Sequence, residues 1–479
     1  MSKKFLALLL IVPMLVCCKG NANNDGPEEE PDPLEGEAYA KAAPMIKSGG
    51  TYLANSALTE KFISEVDYPD KTYTKYTKIF DYPGGFDGTG KLNWDNWSKN
   101  WPDGDKPNSY SIRWLEPAVG AYTVHLSDKL GWSGDFEAKH GSIFYNITNL
   151  VPNDEYTYSV TDSEGNVITS GNFKTTGNLH QVFFNSKCRN ARDLGGWVTA
   201  DGTKRIKYRK VYRGGRMNDP WETMLNAAGK KEVLAEGIGA ELELRGSDDY
   251  MTVPAVEGLD HCHPCIEEGG KVMLGVTKPS RKNCLKWLIL DPGTPWTAEQ
   301  KAPFLDKDGK FSKDSLNKFL SDTSKIKLAI PSAEEYAGFQ TAYKAKTKEC
   351  FLFMLNSVKA GKGMYFHCSL GRDRTGTMQI LTMGILGVRE GDISKEYELT
   401  YFAPVGFSVS SSDKGTNTIP KFQNDRTHWV YSDVVPYFWS LSTDNTFASG
   451  VQNYLLSIGV TQAQIDEFRS LMLEDVPAN

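Results

Sequence analysis

The chain has 479 residues, of which 40% are hydrophobic and 24% are charged, and its formal net charge at pH 7 is −6. At about 150 residues per domain, this length predicts two or three domains, and the composition is that of a globular protein. Because the charge balance is mildly acidic, nucleic acid is excluded as an expected partner.

The first 18 residues have the pattern of an export signal. Lys3 and Lys4 are followed by an apolar run, residues 5–16, and then by Cys17 and Cys18. This run is too short for a good membrane-spanning helix and fits a secretory signal. Its ending resembles the lipobox of bacterial lipoproteins, which implies that Cys18 becomes the lipidated first residue of the mature protein. The alternative is a plain cleaved signal peptide.

A polar segment follows the signal. Residues 19–43 are rich in Asn, Gly and Pro and include a run of three glutamates, residues 28–30. This composition predicts a flexible tether between the lipid anchor and the folded part. We therefore expect an exported protein, anchored by lipid in the bacterial cell envelope, on its periplasmic or its surface face.

Residues 44–177 have the signals of an all-β domain. Short segments with alternating polarity occur at residues 111–115, 121–126, 143–147, 156–160, 167–170 and 172–175, with turn residues between them. Such spacing predicts an antiparallel β-sandwich. The stretch 150–175 resembles the closing strands of fibronectin type III or immunoglobulin-like modules. Residues 45–109 have no clear assignment.

Residues 178–479 have a different pattern, in which helices alternate with short buried strands. Buried strands are predicted at residues 238–244 and 364–366, and helices at residues 333–359, 378–386, 393–401 and 464–473. This alternation predicts an α/β domain.

The chemistry is concentrated in residues 367–376, His-Cys-Ser-Leu-Gly-Arg-Asp-Arg-Thr-Gly. The segment connects a predicted strand to a predicted helix, so the loop lies at a helix N-terminus, where free N–H groups and the helix dipole favour an anion. The same field favours the thiolate of Cys368. Arg374, six residues later, can donate two parallel hydrogen bonds to a phosphoryl group, and the Thr375 hydroxyl can donate to the cysteine sulfur.

This segment resembles the phosphate-binding loop of the protein tyrosine phosphatase superfamily. The resemblance implies that Cys368 is the nucleophile and that Arg374 stabilises the transferred phosphoryl group. It also implies that the phosphate lies against the rest of the loop: His367, Ser369, Leu370, Gly371 and Arg372. The reaction needs no cofactor and no metal, and His261-Cys-His-Pro-Cys265 has no second ligand pair downstream that would complete a zinc site.

A proton donor for the leaving oxygen is also required. Loops of the form His-Cys-x-x-Gly-Lys-Asp-Arg-Thr-Gly resemble a subgroup that includes secreted mycobacterial tyrosine and phosphoinositide phosphatases, in which the loop aspartate is the proposed acid. This implies that Asp373 is the acid, with Arg372 replacing the lysine. Trp101-Pro-Asp103 spells the acid-loop motif of classical tyrosine phosphatases, but it lies far upstream and we interpret it as a coincidence.

A second match extends the resemblance toward the start of the α/β domain. Residues 190–196, Asn-Ala-Arg-Asp-Leu-Gly-Gly, and residues 211–215, Val-Tyr-Arg-Gly-Gly, are similar to the opening of these phosphatase domains. Glu243-Leu-Arg245 falls where that family has Asp-Leu-Arg. For Arg192 and Asp193 the sequence leaves two interpretations open, a place in the substrate pocket or an ion pair that fixes the first loop.

The sequence therefore predicts an α/β tyrosine-phosphatase-like domain preceded by an all-β sandwich. The expected activity is hydrolysis of phosphotyrosine through a cysteinyl-phosphate intermediate, with dual specificity left open. One alternative is a phosphoinositide or inositol-phosphate phosphatase, and another is a surface lipoprotein that binds phosphorylated ligands without turnover. The expected partners are a phosphorylated protein, a phosphorylated small molecule or a lipid head group, and a membrane through the lipid anchor.

Overall fold

The computed structural model describes residues 42–71, 105–114, 120–138, 141–184, 188, 190–218, 225–246, 255–291, 293–326, 330–402 and 429–477. The compact unit that these residues belong to extends over Ala42–Asn479. Both predicted folded domains lie within this unit, and the boundary between them at residue 177 stays a prediction.

The first strands of the chain form two sheets. Their bounds are β1 (Gly50–Leu53), β2 (Tyr110–Arg113), β3 (Tyr122–Asp128), β4 (Ser133–Ala138), β5 (Phe144–Ile147), β6 (Glu155–Thr161) and β7 (Val167–Thr176). The five-stranded sheet has the order β1-β7-β6-β3-β4, and β2 pairs with β5. All these pairings are antiparallel except that of β1 with β7.

The alternating polarity of these strands decides which face is buried. Tyr156, Tyr158 and Val160 of β6 point into a hydrophobic cluster that also contains Val124 of β3 and Phe173 of β7. Thr157 and Ser159, which alternate with them, are more exposed. The two segments that the sequence predicts separately, at residues 167–170 and 172–175, form the single strand β7. The likeness of this region to a fibronectin type III sandwich stays a prediction.

The second group of strands forms a mixed sheet with helices around it. The strands are β8 (Arg192–Asp193), β9 (Lys204–Ile206), β10 (Val211–Gly214), β11 (Ile238–Glu243), β12 (Asp260–Cys262), β13 (Gly363–His367) and β14 (Leu473–Asp475). The sheet order is β12-β11-β13-β10-β8, with β12, β11, β13 and β10 parallel and β8 antiparallel at the edge, while β14 pairs with β9.

The helices of the described residues are α1 (Ala57–Glu65), α2 (Ala227–Ala235), α3 (Gly270–Met273), α4 (Arg281–Leu290), α5 (Ala298–Lys301), α6 (Lys313–Ser321), α7 (Thr323–Ile326), α8 (Ala333–Lys359), α9 (Asp373–Ile385), α10 (Glu390–Glu398), α11 (Trp429–Ser440), α12 (Phe447–Ser457) and α13 (Gln462–Met472). Short 3₁₀ helices cover Ala302–Phe304 and Leu399–Tyr401. In the part of the chain that the structure describes, none of these helices has the length and apolar character needed to cross a bilayer.

Two elements position the functional loop. β13 is buried along its whole length and pairs in parallel with β10, so that Gly214 lies opposite His367. The two strands therefore end at the same edge of the sheet, which is where open α/β sheets place their ligands. Five loop residues, 368–372, separate β13 from α9, which is buried from Thr375 to Ile385.

Candidate active site

The loop between β13 and α9 contains Cys368, whose side chain is only 3% exposed. Gly371 has a φ of +70°, a left-handed conformation that glycine adopts without strain. A Cβ at this position would lie 2.4 Å from the carbonyl carbon and oxygen of Gly214. The loop thus packs so tightly on the end of β10 that only glycine fits.

The surroundings of Cys368 favour its thiolate. Burial raises the pKa of the Cys368 thiol, but the positive charge of Arg374 and hydrogen bonds from the hydroxyl and the backbone N–H of Thr375 lower it, and the lowering prevails. The negative charge of Asp373 opposes this lowering to a smaller extent. A lowered pKa increases the fraction of thiolate, which is the nucleophilic form of a cysteine.

Arg374 lies at the open side of the loop. Its Nη1 donates a hydrogen bond to the backbone oxygen of Ile266, at 2.8 Å. Arg374 and Asp373 line an open cleft of about 500 Å³ whose other residues include Glu268, Lys271 and Asp433. The cleft gives a ligand a path to the end of the loop where the arginine lies.

Asp373, the expected acid, is paired with its neighbour. Arg372 Nε lies 2.5 Å from one carboxylate oxygen of Asp373, and Arg372 Nη2 lies 3.1 Å from the other. The Asp373 side chain is 33% exposed and the Arg372 side chain 11% exposed. The sequence leaves Arg372 as either a ligand for a polyanion or a solvated side chain, and in the structure it forms a two-point ion pair with Asp373.

The first residues of the loop are bound from the end of β10. The backbone N–H of Arg216 donates to the Ser369 carbonyl oxygen at 3.1 Å, and Arg216 Nη1 donates to the Ser369 hydroxyl at 2.7 Å. Arg216 is a residue that the sequence reasoning missed, although it directly follows the quoted motif at residues 211–215. Its guanidinium adds a positive charge beside the loop.

Cys368, Arg374 and Thr375 are thus brought together at the N-terminus of α9. Residues 185–474, more than half of the chain, match the tyrosine phosphatase family. The chain belongs to the tyrosine phosphatase family. A protein of Cupriavidus necator named "putative tyrosine-protein phosphatase" is 25% identical to it over 218 residues, which is 46% of this chain and 62% of that relative. The chain thus covers less than two thirds of the relative's length.

The match confirms the expected family and the α/β content of the C-terminal part. The match begins before β8 and ends within β14, so it includes the Cys368 loop and the whole mixed sheet. The lipidation residue Cys18 and the alternative acid Asp103 lie outside the described residues, and the interpretations of both stay predictions.

His367 does not have the phosphate-binding position that the resemblance implies. Its side chain is fully buried below the loop, and its Nε2 lies 2.9 Å from Oε1 of Glu241. Burial lowers the pKa of His367, but the negative charges of Glu243 and Glu241 outweigh burial and raise it. This correction makes His367 a support beneath the loop, because its imidazole has no exposed surface to offer a ligand.

Glu241, Glu243 and His367 are the described residues whose ligand atoms lie close enough together for a metal ion, within 4.8 Å of one another. Side chains of the protein already pair with the two carboxylates. Glu243 accepts from Arg245 at 2.7 and 2.9 Å, and Glu241 lies 3.2 Å from Nδ1 of His261. Burial raises the pKa of both glutamates, but these partners and His367 lower it by more, so the net shift of each pKa is downward. We therefore interpret this group as a buried network of paired side chains.

Arg192 and Asp193 are both buried and pair with different residues. Arg192 Nε lies 2.7 Å from Oε1 of Glu396, while Asp193 accepts from the backbone N–H of Arg209 at 2.6 Å and lies 2.9 Å from Nδ1 of His180. This geometry favours the structural interpretation over a place in the substrate pocket. The ion pair of Arg192 is with Glu396 of α10.

Proposed function

We propose that this chain is a phosphomonoesterase that works through a cysteinyl-phosphate intermediate. The observation that carries the proposal is the buried Cys368 thiol, with a lowered pKa, in a glycine-containing loop between β13 and the N-terminus of α9. A helix N-terminus, loop amides and Arg374 together form a cradle for a dianionic phosphoryl group.

In the first step the Cys368 thiolate attacks phosphorus, so that the S–P bond forms as the bond to the leaving oxygen breaks. Asp373 donates a proton to that oxygen, and Arg374 with the loop amides stabilises the charge on the phosphoryl oxygens. In the second step water attacks phosphorus and gives a proton to the Asp373 carboxylate. The S–P bond breaks, and the hydrogen bond from Thr375 stabilises the departing thiolate.

Phosphotyrosine is the substrate that we propose first. The family name and the name of the Cupriavidus necator relative both support it. Phosphoinositides or inositol phosphates are the second candidate, because Arg216 places further positive charge beside the loop. The third candidate, capture of a phosphorylated ligand without turnover, is disfavoured because a lowered thiol pKa serves chemistry and adds nothing to binding.

A substrate panel separates these candidates. Freshly reduced full-length protein should hydrolyse para-nitrophenyl phosphate and a phosphotyrosine peptide, with a phosphoserine peptide as the comparison for dual specificity. Higher kcat/KM on phosphoinositides or phytate than on the peptide would select the second candidate. Tungstate binding without turnover on any member of the panel would select the third.

We also propose that the protein is a lipoprotein of the bacterial cell envelope, anchored through Cys18 and held away from the membrane by residues 19–43. The support is the signal pattern at residues 3–18 and the polar composition that follows. Mass spectrometry of the mature N-terminus should find diacylglyceryl-modified Cys18. An unmodified terminus at another residue would contradict the anchor.

A further inference from the structure

Beneath the Cys368 loop lies a polar cluster that neither step of the proposed reaction uses. It consists of Asn190, Arg192, Arg213 and Glu396, which we call the loop-support cluster, and the exposed fractions of the first three are 5%, 7% and 0%. Glu396 is also fully buried. Buried polar groups are costly unless they are paired, so the contacts of this cluster must have a structural or functional reason.

The charges of the cluster do not cancel within it. Arg192 Nε lies 2.7 Å from one oxygen of Glu396, and Arg213 Nη1 lies 3.1 Å from the other. Burial raises the pKa of Glu396, but the two guanidinium groups lower it by more. The net shift is downward, so the carboxylate is ionised. Two cations therefore share one anion below the loop.

Two donors of the cluster, from Asn190 and Arg213, point at the loop. Asn190 Nδ2 donates to the carbonyl oxygens of Leu370 and Gly371, at 3.1 and 3.0 Å. Arg213 Nη2 donates to the same Gly371 oxygen. The orientation of the Asn190 amide is fixed in turn, because Arg192 Nη1 donates to its Oδ1.

These contacts have a consequence for the opposite side of the loop. In a trans peptide plane the C=O of one residue and the N–H of the next point in opposite directions. If the carbonyls of Leu370 and Gly371 point at the cluster, the N–H groups of Gly371 and Arg372 point away from it. The φ of +70° at Gly371 is of the kind that brings successive N–H groups together around an anion.

We propose that Asn190, Arg192, Arg213 and Glu396 are positioning residues that turn the amide N–H groups of Gly371 and Arg372 toward the transferred phosphoryl group. The inference rests on the proposed function for the identity of that group. It adds a physical reason for the left-handed conformation of Asn190, whose φ is +60°. Few non-glycine residues adopt this conformation, and asparagine is among those that tolerate it.

Asn190→Gly tests the proposal because it removes the amide donor without adding charge and fits the same φ. We expect kcat for para-nitrophenyl phosphate to fall at least ~10-fold and tungstate to bind correspondingly more weakly, since misplaced amides lose transition-state hydrogen bonds. The pH midpoint for alkylation of Cys368 should rise, by about one unit. Asn190→Asp should have larger effects, because a carboxylate oxygen would then face and repel the carbonyl oxygens of Leu370 and Gly371.

Asn149→Gly is the matched control. Asn149 has a φ of +59°, is 7% exposed, and donates its Nδ2 to the backbone oxygen of Phe183 at 3.0 Å. Its loss should lower the melting temperature about as much as Asn190→Gly does, with wild-type kcat, tungstate affinity and thiol acidity. If Asn190→Gly behaves like this control in all three, the cluster merely stabilises the fold and the proposal is wrong.

The readouts keep this inference separate from the proposed function. Alkylation of Cys368 and calorimetric binding of tungstate need no turnover. Wild-type protein that fails to hydrolyse any phosphomonoester, yet loses tungstate affinity on Asn190→Gly, would reject the enzyme and retain the positioning role. Wild-type turnover in Asn190→Gly with unchanged thiol acidity would retain the enzyme and reject the positioning role.

Discussion

Cys368→Ser should reduce hydrolysis of para-nitrophenyl phosphate by ~10⁴-fold or more, the scale on which removal of a covalent nucleophile acts. Arg374 and the hydrogen bonds from Thr375 lower the pKa of the Cys368 thiol. The same environment cannot ionise a serine hydroxyl near neutral pH. The loop amides remain, so the variant should still bind tungstate. Initial rates and calorimetric binding on the same preparation measure both properties.

Cys262→Ser is the control for this substitution. Cys262 is half-buried on β12 of the same sheet, but burial and the charge of Glu349 raise its pKa to about 12. It should keep wild-type turnover. Retention of phosphatase activity by Cys368→Ser, or an equal loss in Cys262→Ser, would contradict the assignment of the nucleophile. Rapid acid quench of the wild type should find phosphate bound to the Cys368 peptide.

The parts of the fold that the sequence predicts best are those in which local pattern and burial agree. The helix predicted at residues 333–359 has those bounds in the structure. Its start is fixed by a capping box, in which the Ser332 side chain accepts from the Glu335 N–H and the Glu335 side chain accepts from the Ser332 N–H. The helix predicted from residue 378 begins at Asp373 instead. Its first turn contains the polar residues of the motif, which carry no apolar periodicity.

The contents of the loop are predictable from the sequence, but its support is not. Cys368, Arg374 and Thr375 are neighbours in the chain, so strand, loop and helix signals place them together. Asn190 and Glu396 are separated from Gly371 by 181 and by 25 positions, and only the tertiary fold brings the three into one hydrogen-bonded group. Their residue types alone predict nothing beyond a turn and a helix.

The same limit explains the correction at His367. A histidine before the nucleophile looks like part of the site, and whether its ring faces the ligand depends on a partner from another strand. Glu241 of β11 provides that partner, because the parallel pairing of β11 and β13 brings Glu241 and His367 close to each other at the end of the sheet. β11 was predicted as a buried strand, and a buried strand gives no reason to expect two ionised glutamates in it.

Asp373→Asn should lower kcat/KM, which reports the first step and departure of the leaving group, by ~10²–10⁴-fold on a substrate with a poor leaving group, the usual loss when a general acid is removed. On para-nitrophenyl phosphate the loss should be much smaller, because para-nitrophenolate leaves without needing a proton. The ratio of the two losses therefore identifies the acid. A merely structural role for Asp373 would lower both rates equally.

The pairing of Asp373 with Arg372 makes this test sharper. Arg372 contacts both carboxylate oxygens, whereas a general acid must hold a proton on one of them when the leaving oxygen departs. The two requirements are compatible if the bound phosphoryl dianion displaces Arg372 from Asp373. Asp103→Asn is the comparison: if it reproduces the leaving-group dependence and Asp373→Asn does not, the acid lies in Trp101-Pro-Asp103, and the Arg372–Asp373 pair serves only to shape the loop.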